Sequence, residues 1–174
     1  WLAATFVEQG WSLKAMHRLI VLSNTYQQAS THPALPADQA TRLFARYPRH
    51  RLEGEAIRDS VLAVSGQLNA KMGGPSVFPE LPPGLNPRGG WKTNEDPAER
   101  NRRSVYVFVR RNLRYPMFEA FDMPDTHESC GRRIPTTTAP QALVMMNSKQ
   151  VLEAAQSFAG RVLAQAGLDR KAQI

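Results

Sequence analysis

The chain alternates between stretches in which apolar residues recur every three or four positions and stretches that carry no period at all. The periodic stretches predict amphipathic helices, because that spacing puts the apolar side chains on one face of a 3.6-residue turn. The opening segment WLAATFVEQG reads as the end of a helix, with Trp1, Leu2 and Phe6 apolar and Gly10 as its terminator. Ser12 then stands as the N-cap of a second helix whose face carries Leu13, Met16, Leu19 and Ile20. A short helix is predicted around Ala40 to Tyr47. A longer one runs from about Leu52 to Met72, with Leu52, Ala56, Ile57, Val61, Val64 and Leu68 as its stripe and Gly73 past its end. Thr138 and Gln141 make a capping box with Pro140 in the first turn, so the threonine run opens the helix APQALVMMN. Ser148 caps the last helix, which carries Val151, Leu152, Ala155, Phe158, Ala159, Val162 and Leu163 on one face and stops at Gly167.

Two aperiodic stretches separate these helices. The prolines of STHPALPA, residues 30–37, block a helix and mark a connector. Residues 73–103 form a long Pro- and Gly-rich excursion, but Phe78, Leu81, Leu85 and Trp91 give it apolar anchors that a free linker lacks, so it is expected to pack. In RSVYVFVRRN, Val105, Val107 and Val109 alternate with Tyr106 and Phe108, the pattern of one strand or an extended segment, which either pairs with the Pro-rich excursion or is absorbed into a helix against its propensity. The predicted fold is mainly α: a single irregular helical domain over residues 1–174, with a long Pro/Gly-rich loop and at most one short β element. Trp1 stands where a whole chain would carry Met, so the expectation is a piece of a larger domain, cut at its N-terminal side.

Composition adds a charge bias. Lys and Arg number 22 against 15 Asp and Glu, a net charge of +7, and most of the bases are Arg. That balance suits anionic partners, but Arg also forms forked pairs with carboxylates, so part of it is expected to be spent internally. No helix-turn-helix, zinc-finger or RNA-sheet signature is present, so nucleic acid is not an expected partner. No apolar run approaches the length of a membrane span, and membrane insertion is not expected.

Candidate chemistry gathers in FDMPDTHESCGRRIPTTT. Asp122, Asp125, Cys130, Arg132 and Arg133 form a candidate functional corner, in which the two aspartates receive arginine forks, Arg133 and Arg111 first among them, and Cys130 packs as a small apolar residue. A zinc site on His127 and Cys130 would need two further ligands from Asp122, Asp125 or Glu128 on one loop stiffened by Pro124, so no metal is expected. A Cys130–His127 nucleophile pair lacks an orienting third residue. Cys130 is also without the Cys-x-x-Cys-His run that attaches haem, so the chain is expected to carry no cofactor. His17 beside Met16 reads as a core-edge residue, and Met145 and Met146 as core filler, before either reads as a ligand. Arg100, Arg102, Arg103, Arg110, Arg111 and Arg114 are candidate anion-binding residues, with Arg100, Arg102 and Arg103 expected to face solvent.

The blocks GWSLKAMHRLIVLSNTYQQAS, RHRLEGEAIRDSVLAVSG, RRSVYVFVRRN and FDMPD with SCGRRIPTTTAPQALVMMNS, in this order, resemble the C-terminal domain of unknown function 1553 of large planctomycete proteins that carry a cytochrome c domain ahead of it. The resemblance covers nearly the whole chain. It implies an exported protein of the periplasm or cell envelope, whose partners are other domains of the same polypeptide and surface polysaccharides, and it brings no catalytic residue with it. Two functions remain. One is a non-catalytic module that binds neighbouring domains or an anionic polysaccharide. The other is a catalytic domain acting on carbohydrate, with acid and base drawn from Glu53, Glu55, Asp59, Asp122 and Asp125. A concave pocket holding two carboxylates favours the second, and carboxylates that are all paired favour the first.

Overall fold

The structure is a computed structural model, and it describes residues 1–31, 34–85 and 90–167. Positions 32 and 33 of the predicted connector and 86–89 of the excursion lie outside the described residues. The described chain is mainly helical, as its periodicity predicts, and it falls into two compact units, Trp1–Arg51 and Leu52–Ile174.

In the first unit, α1 (Leu2–Glu8) ends at a turn in which Gly10 and Trp11 both have positive φ, 67° and 61°. Glycine takes that conformation without a Cβ penalty; Trp11 does not, and its ring packs edge-on against Phe6 at 5.2 Å. Ser12 caps α2 (Leu13–Val21) as predicted, its hydroxyl accepting from the Ala15 N–H. Met16 is buried on the α2 face, and His17, expected at the core edge, is exposed. The predicted helix at 40–47 is displaced: α3 spans Ala37–Arg42 and stops before Phe44, whose φ of 52° no right-handed helix accommodates.

In the second unit, α4 (Gly54–Ser65) packs against α6 (Pro116–Ala120), α8 (Lys149–Ala166) and a 3₁₀ turn at Ser104–Tyr106, while α7 (Ala139–Asn147) packs on α6 and α8. The core between them holds Val77, Val107, Tyr115, Met117, Phe118 and Phe121. The capping box of Thr138 and Gln141 and the Ser148 cap form as predicted, and Gly167 ends α8.

The long helix departs from its prediction twice. It ends at Gly66, whose φ of 78° is left-handed, and not near Gly73. Its buried line is Gly54, Arg58, Leu62 and Ser65, whereas Leu52, Ala56 and Val64 of the predicted stripe are exposed. Gly54 is there because the helix passes the next element closely: a Cβ would sit 3.1 Å from Phe118 Cα and Phe121 Cβ.

The alternating segment forms no regular strand and divides between its two expected outcomes. Its first residues coil into the 3₁₀ turn, so Val107 is buried while Val105 and Val109 are exposed. Its pairing with the excursion is real but amounts to one parallel bridge: the Val77 N–H donates to the Tyr106 carbonyl at 2.8 Å and the Phe108 N–H to the Val77 carbonyl at 2.9 Å. The excursion packs through Val77, through Phe78 edge-on to Trp91 at 5.4 Å, and through Trp91 stacked on Tyr115 at 6.3 Å. Leu85, an expected anchor, is exposed.

Two buried guanidinium groups hold these irregular segments. Arg58 donates to the carbonyls of Arg102 (3.0 Å) and Arg100 (2.6 Å) and to the Ser104 hydroxyl (3.1 Å). Arg102 donates to the carbonyls of Pro75 (3.2 Å), Lys71 (3.3 Å) and Gly73, with its guanidinium 4.0 Å over the Tyr106 ring. Both residues are 0% exposed. Arg102, expected to face solvent, is therefore a core residue, because carbonyls of an aperiodic backbone lack helix or sheet donors and must find others. Replacing Arg102 by Ala strands three carbonyls and is expected to lower unfolding free energy by about 3 kcal/mol or more. Arg103→Ala, on an exposed side chain, is expected to change it by less than about 0.5 kcal/mol. Urea unfolding of both variants checks the contrast.

Candidate functional site

The predicted corner is built differently from its expectation. Asp122 follows α6 with a φ of 62°, and its carboxylate accepts from the Thr136 N–H at 2.7 Å and the Thr136 hydroxyl at 2.8 Å. Gln141, already bonded to the Thr138 N–H in the capping box, reaches the same carboxylate at 3.5 Å. Asp122 thus ties the end of α6 to the start of α7. Asp125 is exposed and accepts the His127 N–H at 3.0 Å, a local turn of the kind aspartate favours. Cys130, expected to be packed, is an exposed free thiol, and Arg132 is exposed.

Arg133 does not serve the two aspartates. Its fork lies on Glu55, at 2.7 and 2.9 Å, with Glu53 at 3.0 Å from the same nitrogen that takes the shorter bond. The start of α4 presents Glu53 and Glu55 two positions apart and Glu55 takes the fork in bidentate fashion, whereas Asp122 is occupied by Thr136 and Asp125 by its own turn. Burial pushes the Glu55 carboxyl up, but the Arg133 hydrogen bonds, a backbone N–H and the Arg133 charge outweigh it and hold the group below its ordinary range. Asp59, one turn further along α4, accepts the Ser104 N–H at 2.7 Å and has Arg103 at 3.8 Å. Each of the five carboxylates nominated as acid or base is therefore engaged within the chain.

The candidate anion-binding arginines divide. Arg102 is buried, and Arg114 bonds Glu119 at 2.9 Å and the Met123 carbonyl at 3.3 Å. Arg103 and Arg111 are exposed, Arg110 is half-buried, and Arg100 is half-buried at the rim of a cleft. Arg58 was invisible to the sequence as a core residue, since an arginine amid Glu55, Asp59 and other charges reads as part of a solvated face.

The cleft itself measures about 590 Å³ and is lined by none of the five nominated carboxylates. Its walls are Leu62 of α4, the Pro79–Pro83 strap, the end of α5 (Pro97–Arg100) and the first turn of α8, with Tyr115 and Met117 beneath. The acids that do line it are Glu80 and Glu153, and both approach one ammonium: Lys149 Nζ is 2.7 Å from Glu80 and 3.8 Å from Glu153. The Glu80 hydrogen bond and charge raise Lys149 above its ordinary value. Tyr115 donates its hydroxyl proton to Gln150 Oε1 at 2.9 Å, and burial raises that hydroxyl above its ordinary range although the neighbouring Arg58 charge pulls it down. Nothing in the sequence announces this cleft, because Glu80 and Lys149 stand 69 positions apart in stretches that share no motif. Among the described residues no group of three or more His, Cys, Asp or Glu side chains comes together as a metal-binding set.

A family model described as PSD1: Protein of unknown function (DUF1553) matches residues 1–174. No curated protein and no solved structure matches the chain.

The Arg133–Glu55 fork has a pH signature. A carboxyl held low when folded contributes stability that is complete above its unfolded value, here the ordinary 4.5, and is lost as pH falls through the folded value. With both side chains about a third exposed or less, Arg133→Met is expected to lower stability at neutral pH by about 1–2 kcal/mol. The deficit relative to the parent should shrink below pH 4.5, as Glu55 protonates in both proteins. Urea midpoints at pH 7 and pH 3 check it.

Proposed function

We propose, for a chain that belongs to the PSD1 family of proteins of unknown function (DUF1553), a non-catalytic role as a helical binding module of a larger exported protein. Its partners in this reading are neighbouring domains of the same polypeptide or an anionic polysaccharide, in the periplasm or cell envelope. The setting that goes with it is a large planctomycete protein with a cytochrome c domain ahead of this one.

The observation that carries the reading is how the acids are used. Glu53 and Glu55 are under Arg133, Asp59 is under the Ser104 N–H, Asp122 is under Thr136 and Asp125 closes its own turn. A general acid or base works where a pocket holds the substrate, and these five line no part of the cleft while each meets a donor of the chain. The basic surplus supports a binding role. The chain carries +7, and after Arg58, Arg102, Arg114 and Arg133 are taken up internally, Arg111 and Arg132 stand exposed with no ion pair among the described residues. Exposed guanidinium groups attract a polyanion with an affinity that falls as salt screens them. No helix among the described residues is long and apolar enough to cross a membrane.

The catalytic alternative has one observation on its side, the pair Glu80 and Glu153 in the cleft. Both face Lys149, at 2.7 and 3.8 Å, so the pair is bridged by a cation and not left open toward a substrate between them.

Arg111→Ala with Arg132→Ala is expected to elute earlier than the parent from a sulfated-polysaccharide column at low salt, with stability unchanged within about 0.5 kcal/mol. Equal retention of the two proteins overturns the polyanion reading, and hydrolysis of an oligosaccharide that is lost in Glu80→Gln overturns the non-catalytic one.

A further inference from the structure

We propose that the cleft beside the first turn of α8 is a binding site for a singly charged, hydroxylated carboxylic acid, a site separate from the exposed arginines of the preceding reading. Its volume of about 590 Å³ lies within the range of small-molecule sites, roughly 300–1,000 Å³.

Charge selects the ligand. The rim carries two cations, Arg100 and Lys149, and two carboxylates, Glu80 and Glu153. Lys149 is taken by Glu80 at 2.7 Å, while the Arg100 guanidinium makes no hydrogen bond or ion pair among the described residues and lies near enough to Lys149 for the two charges to repel. Arg58 also lines the cleft, but its guanidinium is held by the Arg100 and Arg102 carbonyls and the Ser104 hydroxyl and has Asp59 as an ion-pair partner at 4.0 Å. With Glu80 on Lys149 and Asp59 beside Arg58, Arg100 is left as the positive charge of this cleft that no ion pair meets among the described residues. A single carboxylate matches that surplus and fits the fork of Arg100 in bidentate fashion, whereas a dianion would meet Glu80 and Glu153.

The remaining polar groups ask for hydroxyls. The side-chain amides of Asn101 and Asn147 make no hydrogen bond among the described residues. Gln150 has its oxygen occupied by Tyr115 and its nitrogen to spare; Gln67 has its nitrogen on Ser157 and its oxygen to spare. Such half-used amides supply donors and acceptors side by side, which hydroxyl groups satisfy from either direction. Pro79, Pro82, Pro83, Pro97 and Pro116 add rigid apolar faces for the C–H surface of a ring, and their fixed φ limits the ordering that binding requires.

Sodium glucuronate is the probe, titrated calorimetrically into the full chain beside glucose and inorganic phosphate. Saturable glucuronate binding with Kd of about 1–10 mM is expected, at least about tenfold tighter than glucose or phosphate. Arg100→Gln should weaken glucuronate binding about tenfold or more and leave both the melting temperature and retention on the sulfated-polysaccharide column as in the parent, because the side chain bonds nothing within the fold. Asn147→Leu should weaken both glucuronate and any residual glucose binding. The proposal is overturned by the absence of saturable heat, by equal affinity for glucose, by tighter binding of phosphate, or by an Arg100→Gln variant that binds as the parent does. None of these outcomes bears on the Arg111 and Arg132 test.

Discussion

Packed backbone without regular secondary structure leaves carbonyl oxygens that no ladder satisfies, and the second unit of this protein contains a great deal of such backbone. Residues 71–77 and 100–104 are such segments, and their carbonyls are met by two buried arginine side chains. Each guanidinium offers five N–H donors in a rigid plane, so one side chain reaches two or three carbonyls at once. The 3₁₀ turn, the single bridge between Val77 and Val107 and the placement of Tyr115 all follow from these grips. Without them the aromatic chain from Phe78 through Trp91 to Tyr115 and Phe118 would have no fixed backbone to stand on.

The remaining charges fall into an order set by the same economy of donors. The carboxylates are occupied by rigid donors: a backbone N–H for Asp59, Asp122 and Asp125, a guanidinium fork for Glu55. Arg111 and Arg132 remain exposed without an ion pair among the described residues, and the cleft at α8 combines an unpaired guanidinium with half-used amides inside a proline-walled space.

Local chemistry was legible in the sequence wherever a few adjacent residues decide the outcome. Ser12, the pair Thr138 and Gln141, Ser148 and Gly167 each act within one turn, and each cap stands where its residues indicate. Apolar anchors likewise revealed that the Pro-rich excursion packs. The face of α4 was misread because its buried line holds a glycine, an arginine and a serine, which hydrophobicity does not score, while exposed Ala56 and Val64 supplied a false stripe. The arginines were misassigned for a related reason. Arg102 and Arg103 are chemically identical neighbours, and which of them turns inward depends on carbonyls some 30 residues away. No motif separates Arg133 on Glu55 from Arg133 on Asp122, since the two carboxylates lie on different elements that only the fold brings near.

The grip of Arg102 on the carbonyls of Lys71, Gly73 and Pro75 takes hold of alternate peptide units and ignores the side chains they bear. Sequence drift in this stretch is therefore constrained in length more than in identity. An exchange of one residue for another leaves the carbonyl in place so long as the backbone angles survive, whereas an insertion or deletion of one residue moves every later carbonyl out of the fork. A segment that looks free to vary, being irregular and poor in recognisable pattern, is fixed in its count of residues by a side chain that sits well downstream of it.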